Sequence, residues 1–257
     1  MKSTDVITLE FLQSQDACKT GVEWFQRNFP AGGEYQTVLD RLAQAEEDLS
    51  VWAGWLIEAA GASDEVREIE GDLKARSYFF CGSLKVSGLI EIELNVTAGR
   101  NVTAGWSVTA GRNVTARDGS VTARDGSVTA RDGSVTAGWD VTARDGSVTA
   151  GWDVTAGGSV TAREGDVTAG WSVTAREGDV TAGGSVTARE GSVTAGGSVT
   201  AREGSVTAGA DYGIFVGLKV RLSLWSRFGF VKAKEQPANL KTGVFVPSEP
   251  EVQNERE

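Results

Sequence analysis

Eighteen times between Asn95 and Ala208 the chain repeats Val-Thr-Ala and then a short corner. The valines stand at 96, 102, 108, 114, 121, 128, 135, 141, 148, 154, 160, 167, 173, 180, 186, 193, 199 and 206, so every step is six or seven residues. A unit this short cannot bury its own apolar face and must stack on its neighbours. In an extended segment alternate side chains share a face, so Val and Ala point inward and Thr outward. The residues between are Gly-Gly, Gly-Trp, Gly-Arg, Arg-Asp-Gly or Arg-Glu-Gly, which read as corners where Gly supplies a positive φ. The Ser, Asp or Asn that follows has a short side chain able to bond backbone there. The pattern predicts a mainly β protein built on a parallel β-solenoid.

The order of corners bears on the number of strands per coil. In the C-terminal half Arg163, Arg176, Arg189 and Arg202 begin charged corners, and these alternate with Gly157, Gly170, Gly183 and Gly196. Two short strands per coil of about 13 residues would sort these corners onto separate edges, giving about nine coils and a rod about 43 Å long at the usual strand spacing. A three-sided hexapeptide helix is the alternative. Leu84 and Ile90 continue the six-residue phase upstream, placing the start of the solenoid near Ser83.

The organisation expected is a helical domain over 1–62, a charged linker over 63–82, the solenoid over 83–210, a β cap over 211–246 and a disordered tail over 247–257. In the head, Asp16 is placed to cap a helix carrying Trp24, Phe25 and Phe29 before Pro30. Helical spacing recurs at Tyr35, Val38, Leu39 and Leu42, and at Leu49, Trp52, Trp55 and Leu56, with Gly61 as a stop. In the cap, apolar residues alternate at 214, 216, 218, 220, 222 and 224. A bulky cap and a head would cover the open sheet edges at the rod's ends.

Charge is unevenly placed. Residues 1–94 hold 17 acids and 8 bases, 95–210 hold 12 and 10, and 211–257 hold 6 and 7. The rod is thus expected to neutralise itself through neighbouring Arg and Asp or Glu, leaving the acidity in the N-terminal region. Neither an export signal nor an apolar run long enough to span a membrane is evident, and Cys18 and Cys81 read as reduced thiols, so the expected location is cytoplasmic. Asn95, Asn101 and Asn113 match glycosylation sequons but read as corner residues.

The chain has no histidine. That removes His-based triads and His-containing zinc sites, and no phosphate-binding loop is present. Asp140 with Asp153, and Asp166 with Asp179, would stack a coil apart in the two-sided arrangement, yet no pocket is implied; no cofactor, metal or enzymatic activity is expected. The candidate partner-binding residues are the corner tryptophans Trp106, Trp139, Trp152 and Trp171, which cannot reach a Val/Ala core. In the two-sided arrangement Trp139 and Trp152 share an edge.

Three segments carry a family resemblance: Ala17-Cys18-Lys19-Thr20-Gly21-Val22-Glu23-Trp24, Trp52-Ala53-Gly54-Trp55-Leu56, and Asp211-Tyr212-Gly213-Ile214-Phe215-Val216-Gly217-Leu218. Together with the repeats they resemble phage- and prophage-encoded proteins with a small helical head and Gly-x-Ile-x-Ala-Gly solenoid repeats. Here Val-Thr-Ala replaces the Ile-x-Ala core and Arg-Asp/Glu corners are added. The resemblance implies architecture and a mobile-element origin, and transfers no active site. The expected function is non-enzymatic protein binding, with inhibition of a host defence or nucleic-acid enzyme as its use and a host enzyme or complex as partner. Direct contact with nucleic acid or membrane is not expected, and a homo-oligomer stays open. The alternatives are a self-assembling scaffold and ice binding through the Thr columns.

Overall fold

A computed structural model describes residues 1–177 throughout, and beyond them 179–182, 185–190, 192–195, 198–201, 206–208, 214–216, 219–220, 224–225, 230–233 and 244–247. The protein is mainly β, a parallel solenoid with a small N-terminal head of four helices. Among the described residues the solenoid has three faces, sheets of nine, nine and eight strands, in which each strand pairs with the third strand along the chain. Face 1 begins with Val66–Ile69, Ser83–Val86 and Val102–Ala104. Face 2 begins with Leu73–Ala75, Ile90–Ile92 and Val108–Ala110, and face 3 with Tyr78–Phe80, Val96–Ala98 and Val114–Ala116. Nine strands at about 4.8 Å span about 38 Å.

Pairing is in strict register: Val lies on Val, Thr on Thr and Ala on Ala, as in Val114–Ala116 against Val135–Ala137. The inward Val and Ala from Val96 to Ala188 are fully or almost fully buried and form one continuous core with Leu84, Val86, Ile90 and Ile92 at its N-terminal end. β-Branched Val suits this packing, because its stiff side chain meets an identical one above and below.

The coil has three strands rather than two and closes after 17 to 21 residues, as the paired strand positions show. Sorting by corner type misled because corner side chains face solvent, so like need not stack on like. The segment 63–82, expected as a linker, instead belongs to the rod: Val66–Ile69, Leu73–Ala75 and Tyr78–Phe80 pair in register with the strands that follow and make the first coil. Of the cap expected over 211–246, Ile214–Val216, Lys219–Val220 and Leu224–Trp225 extend the three faces, and Phe230–Ala233 pairs parallel with Val244–Pro247. The remainder of that cap, and the tail beyond Pro247, lie outside the described residues.

What each corner shares is a hydrogen-bond ladder. From Asn95 to Ser172 the Asn, Ser or Asp before a repeat's Val accepts from the backbone N–H of its counterpart one coil on. On the edge between faces 3 and 1, Asn101 Oδ1 accepts from Ser120 N (2.9 Å), Ser120 Oγ from Asp140 N (3.2 Å), and Asp140 Oδ1 from Ser159 N (2.7 Å). The three residue types are interchangeable because each offers an oxygen at nearly the same reach.

Corner glycines serve space, not chirality. The positive-φ glycines among the described residues are Gly32, Gly61 and Gly71, none of them in a Val-Thr-Ala corner. In a six-residue repeat the first corner position lies against the coil below: a Cβ on Gly105 would sit 1.9 Å from the Ser87 carbonyl oxygen. In a seven-residue repeat Arg takes that position and glycine moves on, so Gly126 is the residue whose Cβ would meet Ser107 Oγ at 2.3 Å. Gly105→Ala is therefore expected to push adjacent coils apart and cost about 1–3 kcal/mol, whereas Trp106→Ala next to it changes stability by about 0.5 kcal/mol or less. Urea unfolding of the two variants checks this; equal midpoints would refute it.

The head comprises α1 (Leu9–Ser14), α2 (Lys19–Asn28), α3 (Tyr35–Ala43) and α4 (Ser50–Ala60). Thr8 caps α1, its Oγ1 accepting from Phe11 N at 3.2 Å. Asp16 does not cap α2: it sits in the preceding turn with φ 54°, and Cys18 stands at the cap position without a side-chain capping bond. Gly61 ends α4 with φ 78°, as its place in the sequence suggests.

The head seats on face 3, with α3 against Tyr78–Phe80 and α4 against Val96–Ala98. Phe79, in register with outward Thr97, is only 1% exposed, and Thr97 itself 5%, because the head covers both. Gln36 closes the open edge of this first strand. Its Nε2 donates to the Phe79 carbonyl (2.8 Å) and its Oε1 accepts from Cys81 N (3.1 Å), standing in for the strand that is missing there. Arg112 pairs with Asp48 (2.6 Å), Arg117 with Glu58 (2.7 Å) and Arg100 with Asp64 (2.5 Å). These rod arginines thus answer carboxylates in and just after the head, not the neighbouring corner acids.

Candidate partner-binding surface

The exposed tryptophans owe their position to the corners that carry them. Each follows a glycine that must stay bare against the coil below, so the next side chain projects outward. Trp106, Trp139, Trp152 and Trp171 are 61%, 67%, 60% and 58% exposed. The three-sided coil redistributes them. Trp106 lies on the edge between faces 1 and 2, Trp139 on that between faces 3 and 1, and Trp152 and Trp171 on that between faces 2 and 3. Trp139 and Trp152 therefore do not share an edge. The stacked pair is Trp152 and Trp171, in adjacent coils, with Trp171 N donating to the Trp152 carbonyl at 2.9 Å. Beside Trp139, the bare corner of Gly157 and Gly158 leaves an open depression of about 560 Å³, closed on its far side by Arg176 and Glu177.

The acidic pairs separate as well. Asp140 and Asp153 are on different edges, and both are rungs of the corner ladders, Asp153 Oδ1 accepting from Ser172 N at 2.9 Å. Asp166 and Asp179 likewise belong to different edges. Among the described residues no group of three or more His, Cys, Asp or Glu is placed to hold a metal ion. Each Val-Thr-Ala strand presents one outward Thr, so each face carries a single Thr column. Asn95 is buried beneath the head, donating to Asp48 (3.0 Å) and accepting from Asn113 N (3.1 Å).

Asp48 joins these contacts. Burial alone would raise its pKa, but hydrogen bonds from Ser50, Asn95 and Arg112 outweigh it and hold the carboxyl below its ordinary value. A depressed carboxylate stabilises the fold above the unfolded pKa and loses that contribution as pH falls through the folded one.

A second concave surface lies within the head, where the two head segments that carry the resemblance meet. A groove of about 310 Å³ runs between the helices, lined mainly by apolar side chains including Leu12, Trp24, Val38, Trp52 and Trp55. Trp24 and Trp52 meet edge to face with centroids 6.2 Å apart. Cys18 stands at the rim; the Thr20 hydroxyl, 3.5 Å from its sulfur, and the Gly21 backbone lower its pKa. Cys81 is the opposite case, buried under the head with its thiol pushed up to about 11 by burial, helped by the charge of Glu65.

Residues 1–62 match the YdhT N-terminal domain family, a span that ends just past the fourth helix and its Gly61 stop. No curated protein matches the chain, and no solved structure does. Among the described residues no helix is long and apolar enough to cross a membrane.

Proposed function

We propose that this is a non-enzymatic protein-binding protein, in which the solenoid is a rigid display surface and the head fixes its orientation toward a partner. The observation that carries this reading is the Trp152–Trp171 pair, two large aromatic side chains more than half exposed on adjacent coils of a stiff edge. Tryptophan is the residue type most enriched at binding hot spots, and a preorganised edge loses little conformational freedom on binding. Following the resemblance of head and repeats to phage-encoded proteins, the partner we favour is a host defence or nucleic-acid enzyme, met in the cytoplasm and blocked by occupancy.

The test is a pull-down from lysate of the cell in which the protein acts, using the intact chain beside a Trp152→Ala/Trp171→Ala double variant. A single enzyme or complex held by the intact chain should bind the variant at least about 30-fold more weakly, as expected for two hot-spot residues. A partner held equally by both, or no partner at all, would sink the proposal.

A further inference from the structure

We propose that the groove of the head docks a basic amphipathic segment of a protein partner, an apolar helix face flanked by Lys or Arg. The inference rests on the protein-binding reading above and gives it a second site with a stated chemistry. Three observations converge. The groove is apolar and aromatic, and the surface beside it stays apolar, since Val51 on its rim is 77% exposed. That is the form in which a helix lays apolar residues at i, i+3 and i+4.

The second observation is charge. The one charged side chain in the lining is the carboxylate of Asp16. Residues 1–62 carry ten acids against four bases; with Asp48 and Glu58 paired to rod arginines an excess of four acids remains, and Lys19, next to Cys18 in the chain, is already paired with Glu23 at 3.8 Å. A cationic segment is steered to such a surface and an acidic one is repelled.

The third is Gly21. It lies in the first turn of α2, where glycine is a poorer helix former than almost any alternative. A Cβ there would stand 3.2 Å from Cys18 Sγ and 4.0 Å from the Trp52 ring, directed into the groove. The missing side chain is what leaves that end open.

Fluorescence anisotropy with the intact protein and a labelled amphipathic helical peptide of Leu and Lys tests the assignment. Binding is expected to weaken roughly tenfold or more in Gly21→Leu, which fills the groove while favouring the helix, and about two- to threefold in Asp16→Asn. Peptides with Gln for every Leu, or Glu for every Lys, should bind far more weakly. The Trp152→Ala/Trp171→Ala variant should bind the Leu/Lys peptide as the intact protein does, so failure here is separable from failure of the rod surface. Equal affinity for Gly21→Leu with its circular dichroism unchanged overturns the proposal. So does preference for the Leu/Glu peptide, or occupancy by a small apolar dye with no peptide binding.

Discussion

A chain lacking residues 1–62 is expected to self-associate, sedimenting as species much larger than the intact protein at the same concentration. The cause is local. Phe79 points outward from the first coil and is covered only because the head lies on it, as is Thr97 next to it in the same column. Removing the head bares an aromatic patch and deprives the Phe79 carbonyl and Cys81 N–H of Gln36. An uncovered edge of aligned N–H and C=O groups beside exposed aromatics is a template for another chain. Analytical ultracentrifugation of the two chains decides it, and identical sedimentation would show that the head is not an end cover. If the prediction holds, proteins retained by the truncated chain from a lysate include those caught by this patch.

Val135→Asp is expected to break the rod in the middle, at a cost exceeding about 4 kcal/mol. Val135 is fully buried, stacked between Val114 and Val154 in a column with no polar side chain to receive a carboxylate. The neighbouring outward change Thr136→Asp leaves the charge in water and should be tolerated. Limited proteolysis gives the reading: cleavage of Val135→Asp within the repeats under conditions where Thr136→Asp is resistant. Equal resistance of the two would mean that the faces are assigned the wrong way round.

The features of this architecture visible in the sequence are those governed by side-chain alternation. Val and Ala at every second position fix an inward face, and the structure buries them. The count of faces was not visible, because it depends on how corners stack, and their side chains project into water whatever the stacking. The first coil was hidden for a related reason. Glu68 and Lys74 look like linker residues in one dimension, yet they occupy outward rungs, bridging to Lys85 (2.7 Å) and Glu91 (2.8 Å) on the next coil. Gln36 could not be found at all, since it acts on backbone 43 and 45 residues away. The outward tryptophans were legible, because a large ring beside an obligatory glycine has no way inward. Which of them are neighbours was not, since that follows from the coil count. The groove is lined by Cys18, Gly21, Trp24, Trp52 and Trp55 of the two head segments that carry the resemblance, but their convergence rests on tertiary packing that one dimension does not show.

Because three repeats close one coil and any Asn, Ser or Asp can serve as a rung, the gene can lengthen or shorten this rod in two unequal ways. Loss of one Val-Thr-Ala unit before Trp139 would leave a sound solenoid but turn everything beyond it by a third of a revolution relative to the head. Trp152 and Trp171 would then look in a new direction. Loss of three units would only draw them closer along the axis. Variation in repeat number is therefore permissive for folding and selective for geometry: multiples of three keep the angle between head and tryptophan edge, and all other changes reset it.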